Sequence, residues 1–463
     1  VIAEVPRGTA EDVERAVDAA KKAWLDWQDK TPKDRMELLL ALADVIDENA
    51  EELARLETQN VGKPWWVAVD EPGIMSDNLR FFAGAARNLE GKAAGEYAAG
   101  HTSIIRREPL GIVAGICPWN YPLFMAVWKM GPALAAGNVQ IIKPAEQTPL
   151  TMLRFVELAQ EVLPPGVLQV VTGDGIPVGD ALVRHPAISL VSLTGDTATG
   201  KLIARNAADT VKHVHLELGG KDPMIVLDDA DLGRAVEGAL WGSFTNCGQV
   251  CSGVERIYVA RELHEQFVTR LAERAQALRI GRGDDPSTDL GPLISERQRE
   301  RVEEVVADAV EHGAEIVTGG ARPRIELPGW FFAPTVIGAE PEGARVRREE
   351  IFGRVVTVVR IEDEADGVRR AIDSAFALGA SVWTRDRARG RRVAEALEAG
   401  TVWINDHAYS YGVCQAPWGG RGASGHGRTH SKHGLYALSH VKYVDTDAGR
   451  LRPPWWYPYG DDG

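Results

Sequence analysis

Cys251 closes the segment Phe244-Thr-Asn-Cys-Gly-Gln-Val-Cys251, and Glu217 lies upstream in Leu216-Glu-Leu-Gly-Gly-Lys-Asp-Pro223. A thiol can form a covalent bond to a carbonyl carbon, and a carboxylate can draw a proton from water. Gly219 and Gly220 beside the acid allow a backbone or a flat ring to approach closely. Together these residues suggest chemistry that traps a carbonyl on sulfur and then hydrolyses it. Each has a plainer reading alone: a buried core thiol, and a solvated carboxylate at a strand end. Asn246, Gly248 and Gln249 are poor core residues, which argues for a sharply turning loop around Cys251. Cys247 shares that loop and reads as packing, with a redox partner as the lesser option.

Further candidates follow strands. Pro118-Trp-Asn-Tyr-Pro122 leaves a strand and opens a helix. Its prolines fix the turn and bring Asn120 to a helix start, where a side-chain amide can stabilise an oxyanion or simply act as an N-cap. Lys143-Pro-Ala-Glu146 also follows a strand, in the position where doubly wound sheets bind nucleotides. Lys143 and Glu146 can bond ribose hydroxyls there, or form a surface charge pair. Leu193-Thr-Gly-Asp-Thr-Ala-Thr-Gly-Lys201 matches GxxxxGK through Gly195, Gly200 and Lys201, but Leu202 stands where Ser or Thr should hold magnesium. A phosphate-loop nucleotide hydrolase is therefore a distant alternative. A turn that delivers a pyrophosphate to a helix N-terminus suits both readings.

The elements that must position these groups alternate. Residues 9–58 read as helical, starting at Thr9-Ala-Glu-Asp-Val. From Gly111, strands 111–117, 138–143, 167–171 and 188–193 alternate with helices 122–136, 149–163 and 177–184. The alternation restarts after Pro223 and continues to about 405. Short apolar strands separated by helices predict an α/β protein with two doubly wound parallel sheets. Gly95–Arg107 and the tail after about 433 fit neither layer and read as a ribbon and a strand leaving the body. The expected division is 1–90 with 110–220 for cofactor, 221–428 for catalysis, and 91–109 with 429–463 for oligomerisation.

Composition narrows the function. The 463 residues exceed one ordinary core, and 25% charged with 44% hydrophobic residues is typical of a globular enzyme. A net charge of −14 argues against nucleic acid or anionic membrane as partner. No apolar run is long enough to span a bilayer. Cys117, Cys247, Cys251 and Cys414 show neither a disulfide framework nor metal-ligand spacing, so no metal is expected. A reduced, cytoplasmic protein is the expectation. No signal-peptide pattern opens the numbering, which begins at Val1.

The chain closely resembles the aldehyde dehydrogenase superfamily over nearly its whole length. The resemblance rests on Pro118–Pro122, Lys143–Glu146, Thr194-Gly195, Leu216–Lys221, Gly248-Gln-Val-Cys251, Glu349-Glu-Ile-Phe-Gly353, Gly400-Thr-Val-Trp-Ile-Asn405 and Pro417-Trp-Gly-Gly420, in order. It implies an aldehyde dehydrogenase fold and NAD as cofactor. It also implies that Cys251 is the nucleophile, that Asn120 and the Cys251 N–H form an oxyanion hole, that Glu217 is the general base and that Lys129 serves proton relay. The implied cofactor contacts are Trp119, Lys143, Glu146, Thr194, Gly195, Asp196, Gly219, Glu350 and Phe352. Tyr121, Met125, Trp128, Thr245 and Trp418 are implied to line the aldehyde tunnel. Within the superfamily the chain is most similar to the γ-aminobutyraldehyde and betaine aldehyde branch, through Phe81–Arg87, Ala94–Tyr97 and His101–Arg107. The resemblance thus implies NAD-dependent oxidation of an ω-aminoaldehyde or betaine-aldehyde-like substrate through a thiohemiacetal and thioester. Aromatic or aliphatic aldehydes, semialdehydes included, are the alternative, and a non-catalytic descendant is a distant one. Glu217 argues against a CoA-acylating variant.

Three positions depart from the family pattern. Asp196 replaces a serine that commonly meets the pyrophosphate. Arg354 replaces the proline after Glu-Ile-Phe-Gly, and Thr429 replaces an acid after Gly427-Arg428. The segment Asn405–Pro417, with Tyr409, Tyr411 and Cys414, is placed to reshape the tunnel entrance. A homodimer or homotetramer is expected, with Ser439–Val444 pairing across a subunit interface. The tail Arg452-Pro-Pro-Trp-Trp-Tyr-Pro-Tyr459 is expected to dock on a neighbouring subunit.

Overall fold

The computed structural model describes residues 2–447 together with Trp456 and Tyr457. Its N-terminal segment up to Ala86 is helical, in Ala10–Trp27, Pro32–Glu48, Ala50–Val61, Trp65–Ala68 and Glu71–Ala86. The first two starts have a local cause. Asp12 accepts from the Thr9 N–H at 2.7 Å, and Asp34 accepts from the Thr31 N–H at 2.9 Å ahead of Pro32. Both are reciprocal caps of donors that a helix start leaves unpaired. The helical reach runs past the predicted limit of 58, because Glu71–Ala86 packs on Pro32–Glu48 and on the fully buried helix Pro122–Ala136.

Two parallel sheets carry the site. The first has six strands, ordered Gly425–His426, His213–Glu217, Ile188–Thr194, Ile112–Ile116, Val139–Lys143, Leu168–Val170. All pair in parallel except the short strand Gly425–His426. The strand order reverses between Ile112–Ile116 and Ile188–Thr194, which opens a crevice at their carboxyl ends. The second sheet has seven strands, ordered Ile316–Thr318, Thr335–Ile337, Val355–Ile361, Val254–Ala260, Asp222–Val226, Gly379–Trp383, Thr401–Ile404. Only Ile316–Thr318 is antiparallel. Val139–Lys143, Asp222–Val226 and Gly379–Trp383 are buried at every residue, as expected for strands covered by helices on both faces. The chain passes from one sheet to the other through Leu218–Lys221. Glu217 therefore ends a strand of the first sheet just before Asp222 opens the second.

A third, antiparallel sheet joins Lys92–Ala98, His101–Pro109 and Ser439–Asp447. Ser439–Asp447 pairs along its length with His101–Pro109 of the same chain, from Ser439 opposite Pro109 to Asp447 opposite His101. A nine-residue ladder within the chain satisfies that edge, so a partner subunit has only the outer edge to meet. Apart from Trp456 and Tyr457, the tail for which docking was expected lies outside the described residues. Among the described residues no helix is long and apolar enough to cross a membrane.

Candidate active site

The nucleophile loop is built from unusual backbone. Helix Leu232–Phe244 ends at Thr245, after which Asn246 and Cys247 take left-handed φ values of 43° and 64°. Such conformations are costly for residues with a side chain and persist only when their surroundings hold them. Asn246 Nδ2 donates to Asn120 O at 3.2 Å and to Gln249 O at 3.3 Å, and Gln249 Oε1 accepts from Ile294 N at 2.9 Å. Gly248 follows at φ 72°, where an added Cβ would lie 2.1 Å from Gly353 O. Cys251 emerges at the amino end of strand Val254–Ala260, its Sγ 3.5 Å from Tyr411 Oη. Burial first, and the charge of Glu217 second, push the Cys251 thiol up, so it needs a base to become nucleophilic at neutral pH.

Glu217 is 2% exposed, and burial raises its pKa to about 7 against the opposing hydrogen bond from Trp418. Trp418 Nε1 donates to Glu217 Oε1 at 2.8 Å, whereas Oε2 has no partner among the described residues. The Trp418 backbone is fixed in turn by paired bonds with Thr429, each 2.8 Å. Asn120 lies one residue ahead of the helix N-cap Tyr121 and does not cap. Its Nδ2 donates to Gln249 O at 2.9 Å, which aims the amide at the nucleophile loop. Lys129 is buried, which lowers its pKa, and it donates to Thr194 Oγ1 at 2.6 Å.

All nine residues singled out for the cofactor line one cleft of about 750 Å³: Trp119, Lys143, Glu146, Thr194, Gly195, Asp196, Gly219, Glu350 and Phe352. Cys251, Asn120, Tyr121 and Met125 line the same cleft. Lys143 is buried and 3.5 Å from the half-exposed Glu146. Gly219 needs its missing side chain, since a Cβ would come within 2.3 Å of Glu350 Oε2. Glu350 Oε1 accepts from Gly220 N at 2.9 Å, and burial together with the nearby Glu255 raises its pKa to about 8. Phe352 meets Trp119 edge-on at 5.2 Å.

Trp128, Thr245 and Trp418, expected along the aldehyde tunnel, are not among the residues that line this cleft. Tyr411 stands in front of the two tryptophans. Its ring stacks on Trp418 at 5.0 Å and lies 5.9 Å from Trp128 and 6.3 Å from Tyr121. Its hydroxyl lies 3.0 Å from Ser252 Oγ. The two tryptophans thus form the back of an aromatic box whose centre is filled by Tyr411. Thr245 sits at the helix end with Oγ1 buried and unpartnered among the described residues.

The phosphate-loop match is not a phosphate loop. Gly200 is a packing glycine, where a Cβ would lie 2.6 Å from Leu218 Cδ2, and Lys201 is exposed. Asp196 caps helix Thr197–Ala207, accepting from Thr199 N at 2.9 Å and Thr199 Oγ1 at 2.6 Å. Sequence reading missed the support of the Glu350–Phe352 segment. Lys221 pairs with Glu255 at 2.7 Å, and Glu255 Oε1 accepts from the N–H groups of Ile351 and Phe352. Gln298 Nε2 donates to Phe352 O at 2.8 Å, and Arg301 Nη2 to Glu350 O at 2.6 Å. Lys221 within Leu216–Lys221 was the one available signal. Gln298 and Arg301 lie on a distant amphipathic helix that gave none.

The sequence model described as "Aldehyde dehydrogenase family" matches residues 1–444. The chain belongs to the aldehyde dehydrogenase family. Among similar aldehyde dehydrogenases is betaine aldehyde dehydrogenase of Sinorhizobium fredii, 41% identical over 461 residues, covering 98% of this chain and 93% of that protein. Phenylacetaldehyde dehydrogenase of Pseudomonas fluorescens is 40% identical, covering 95% of this chain and 88% of that protein. A crystal structure of Staphylococcus aureus betaine aldehyde dehydrogenase in complex with NAD+ superposes with a TM-score of 0.96 at 40% identity. It covers 98% of this chain and 91% of that one.

Proposed function

We propose that the chain oxidises an aldehyde to its carboxylic acid with NAD+. The observation that carries this reading is one cleft lined by Lys143, Glu146, Gly195, Glu350 and Phe352 together with Cys251. A dinucleotide suits it. Ile176, Val183 and Leu202 offer apolar surface for an adenine, Lys143 and Glu146 polar groups for a ribose, and Glu350 and Phe352 a second ribose and ring site. When bound, NAD+ accepts the hydride that leaves the aldehyde carbon.

The chain's own groups handle the remaining charge. Cys251 gives up its thiol proton through water to Glu217, which passes it to solvent; the thiolate adds to the carbonyl carbon, and negative charge develops on the carbonyl oxygen. The Asn120 amide and the Cys251 N–H stabilise that oxygen. Glu217, poised near neutrality, takes a proton from the water that hydrolyses the thioester. Lys129, bonded to Thr194 Oγ1, is placed to pass charge or proton along the first sheet's carboxyl edge.

The substrate is an aldehyde with an ammonium or trimethylammonium head. Tyr121 and Tyr411 line the cleft together with Cys251, backed by the rings of Trp128 and Trp418, and aromatic faces attract such cations. An arylacetaldehyde is the second reading, favoured by the near-parallel Tyr411–Trp418 stack with its 29° tilt, against which a flat ring can add. A panel of aldehydes at fixed NAD+, followed by NADH formation, tests both readings. Tetramethylammonium should compete with the substrate. NADH production from no aldehyde overturns the function, and preference for arylacetaldehydes without tetramethylammonium inhibition overturns the substrate. We place the enzyme in the cytoplasm as a homo-oligomer. Val441 and Tyr443, exposed on the three-stranded sheet, support the assembly. The cofactor, catalytic and oligomerisation division by residue range is part of the same proposal.

A further inference from the structure

The loop that bears the nucleophile and the loop that bears Glu350 and Phe352 are in direct contact. The approach of Gly248 to Gly353 O leaves no room for a side chain between their backbones. Next to that contact Arg354 is fully buried. It donates from Nη2 to Cys247 Sγ at 3.0 Å and from Nη1 to Phe332 O at 2.6 Å. Cys247 Sγ lies 3.4 Å from Gly291 O. This is the geometry of a thiol that accepts from the guanidinium and donates to a carbonyl. The surroundings are apolar, with Val302, Phe332 and Val355 in the same cluster as Cys247. Arg354 Nε has no partner among the described residues. A cation in such a place is costly unless its bonds compensate, so the sulfur contact matters to where both loops sit.

We infer that Arg354 is a positioning residue, which through Cys247 locks the loop bearing Cys251 to the loop bearing Glu350 and Phe352. This rests on the proposed NAD+-dependent function. The second loop is already stiff, because Glu255 holds the N–H groups of Ile351 and Phe352, and Gln298 holds the Phe352 carbonyl. A stiff loop tied to the nucleophile loop transmits its displacement. Cofactor binding at Glu350 and Phe352 thereby reaches Cys251 without the cofactor touching the sulfur. A shift of a fraction of an ångström at a nucleophile is enough to change its reactivity severalfold.

The test measures alkylation of Cys251 by iodoacetamide, with and without NAD+, in the full-length protein and in Arg354→Met, Cys247→Ala and Cys247→Ser. This needs no aldehyde turnover, so a failed functional reading, seen as no NADH from any aldehyde, is distinguishable from a failed inference. NAD+ should change the alkylation rate by about fivefold or more in the unaltered protein. In Arg354→Met the ratio should fall to near one while NAD+ still binds. Cys247→Ala should lower it as well, and Cys247→Ser, which keeps an acceptor and a donor, should restore it. The Arg354→Met and Cys247→Ala effects should not add, since both break one contact. A ratio of one in the unaltered protein, or an unchanged ratio in Arg354→Met, overturns the inference. If Arg354→Met does not fold, the two Cys247 variants decide: an unchanged ratio in Cys247→Ala, or no restoration by Cys247→Ser, overturns it.

Discussion

The indole Nε1 of Trp418 donates to Glu217 Oε1 at 2.8 Å, inside a region where the carboxyl group has little other solvation. The bond favours the ionised acid and so opposes the upward push of burial, which leaves the pKa at about 7. Trp418→Phe removes the donor and keeps the ring. The pKa of Glu217 should rise, so the acidic limb of the pH profile for thioester hydrolysis should move to higher pH. Turnover at pH 7 should fall severalfold, with the NADH burst less affected. A pH profile unchanged in Trp418→Phe would show that the bond does not tune the base.

Loss of the thiol should be absolute. Cys251→Ala is expected to abolish aldehyde oxidation and the NADH burst, because no other group at that end of the cleft can carry the adduct. Unfolding temperature should change little, as the side chain is small and only partly exposed. Residual turnover above background in a sequenced preparation of the variant would end the assignment.

Cofactor choice should follow Glu146. Its carboxylate lines the cleft with Lys143, 3.5 Å away, and with the ribose proposed there an added 2′-phosphate would meet like charge. NAD+ should therefore give the higher kcat/KM, and Glu146→Gln should narrow the gap by about tenfold, the scale of one screened charge contact. Steady-state kinetics with both cofactors measure this, and a preference for NADP+ in the unaltered enzyme refutes it.

Asp196 spends its carboxylate on Thr199 rather than leaving the helix start open to an anion. Asp196→Ser keeps a good N-cap and removes a negative charge from the cleft wall. NAD+ should bind tighter by about 1 kcal/mol, roughly fivefold, in titration calorimetry. Equal affinity would mean that the Thr199 bonds already shield the charge.

Tyr411 should set what the aromatic box admits. Tyr411→Ala empties the space between Tyr121, Trp128 and Trp418, and deletes one cation-binding face. KM for a trimethylammonium aldehyde should rise about tenfold, since such a contact is worth ~1–2 kcal/mol when desolvated. KM for a small neutral aldehyde should fall or stay level. An equal change for both substrates would rule out selective recognition by the ring.

Residues carried by a local motif could be singled out before the fold was known, and the structure brings most of them to one cleft. Cys251, Glu217, Asn120 and the nine cleft residues lie in short turns at strand ends, and alternation of strand and helix sets where those ends fall. Features that depend on packing between distant segments could not. Tyr411 occupies the aromatic box because Asn405 and Ala408 adopt left-handed backbone, at φ 58° and 63°, which composition does not announce for an alanine. Trp418 has an apolar body and one donor, and only the position of Glu217 decides where that donor points. The pairing of Ser439–Asp447 with its own chain was equally hidden, because a β edge has the same pattern whichever strand it meets.

Glu217 ends a strand of one sheet and Cys251 precedes a strand of the other, with Leu218–Lys221 as a four-residue bridge between the sheets. The acid and the sulfur thus stand on different sheets. Sliding one layer against the other by about 1 Å would silence the chemistry without melting either. Mild denaturant should therefore quench catalysis while circular dichroism still reports intact helices. Substitutions buried between the layers, far from any substrate, can act as inhibitors written into the chain.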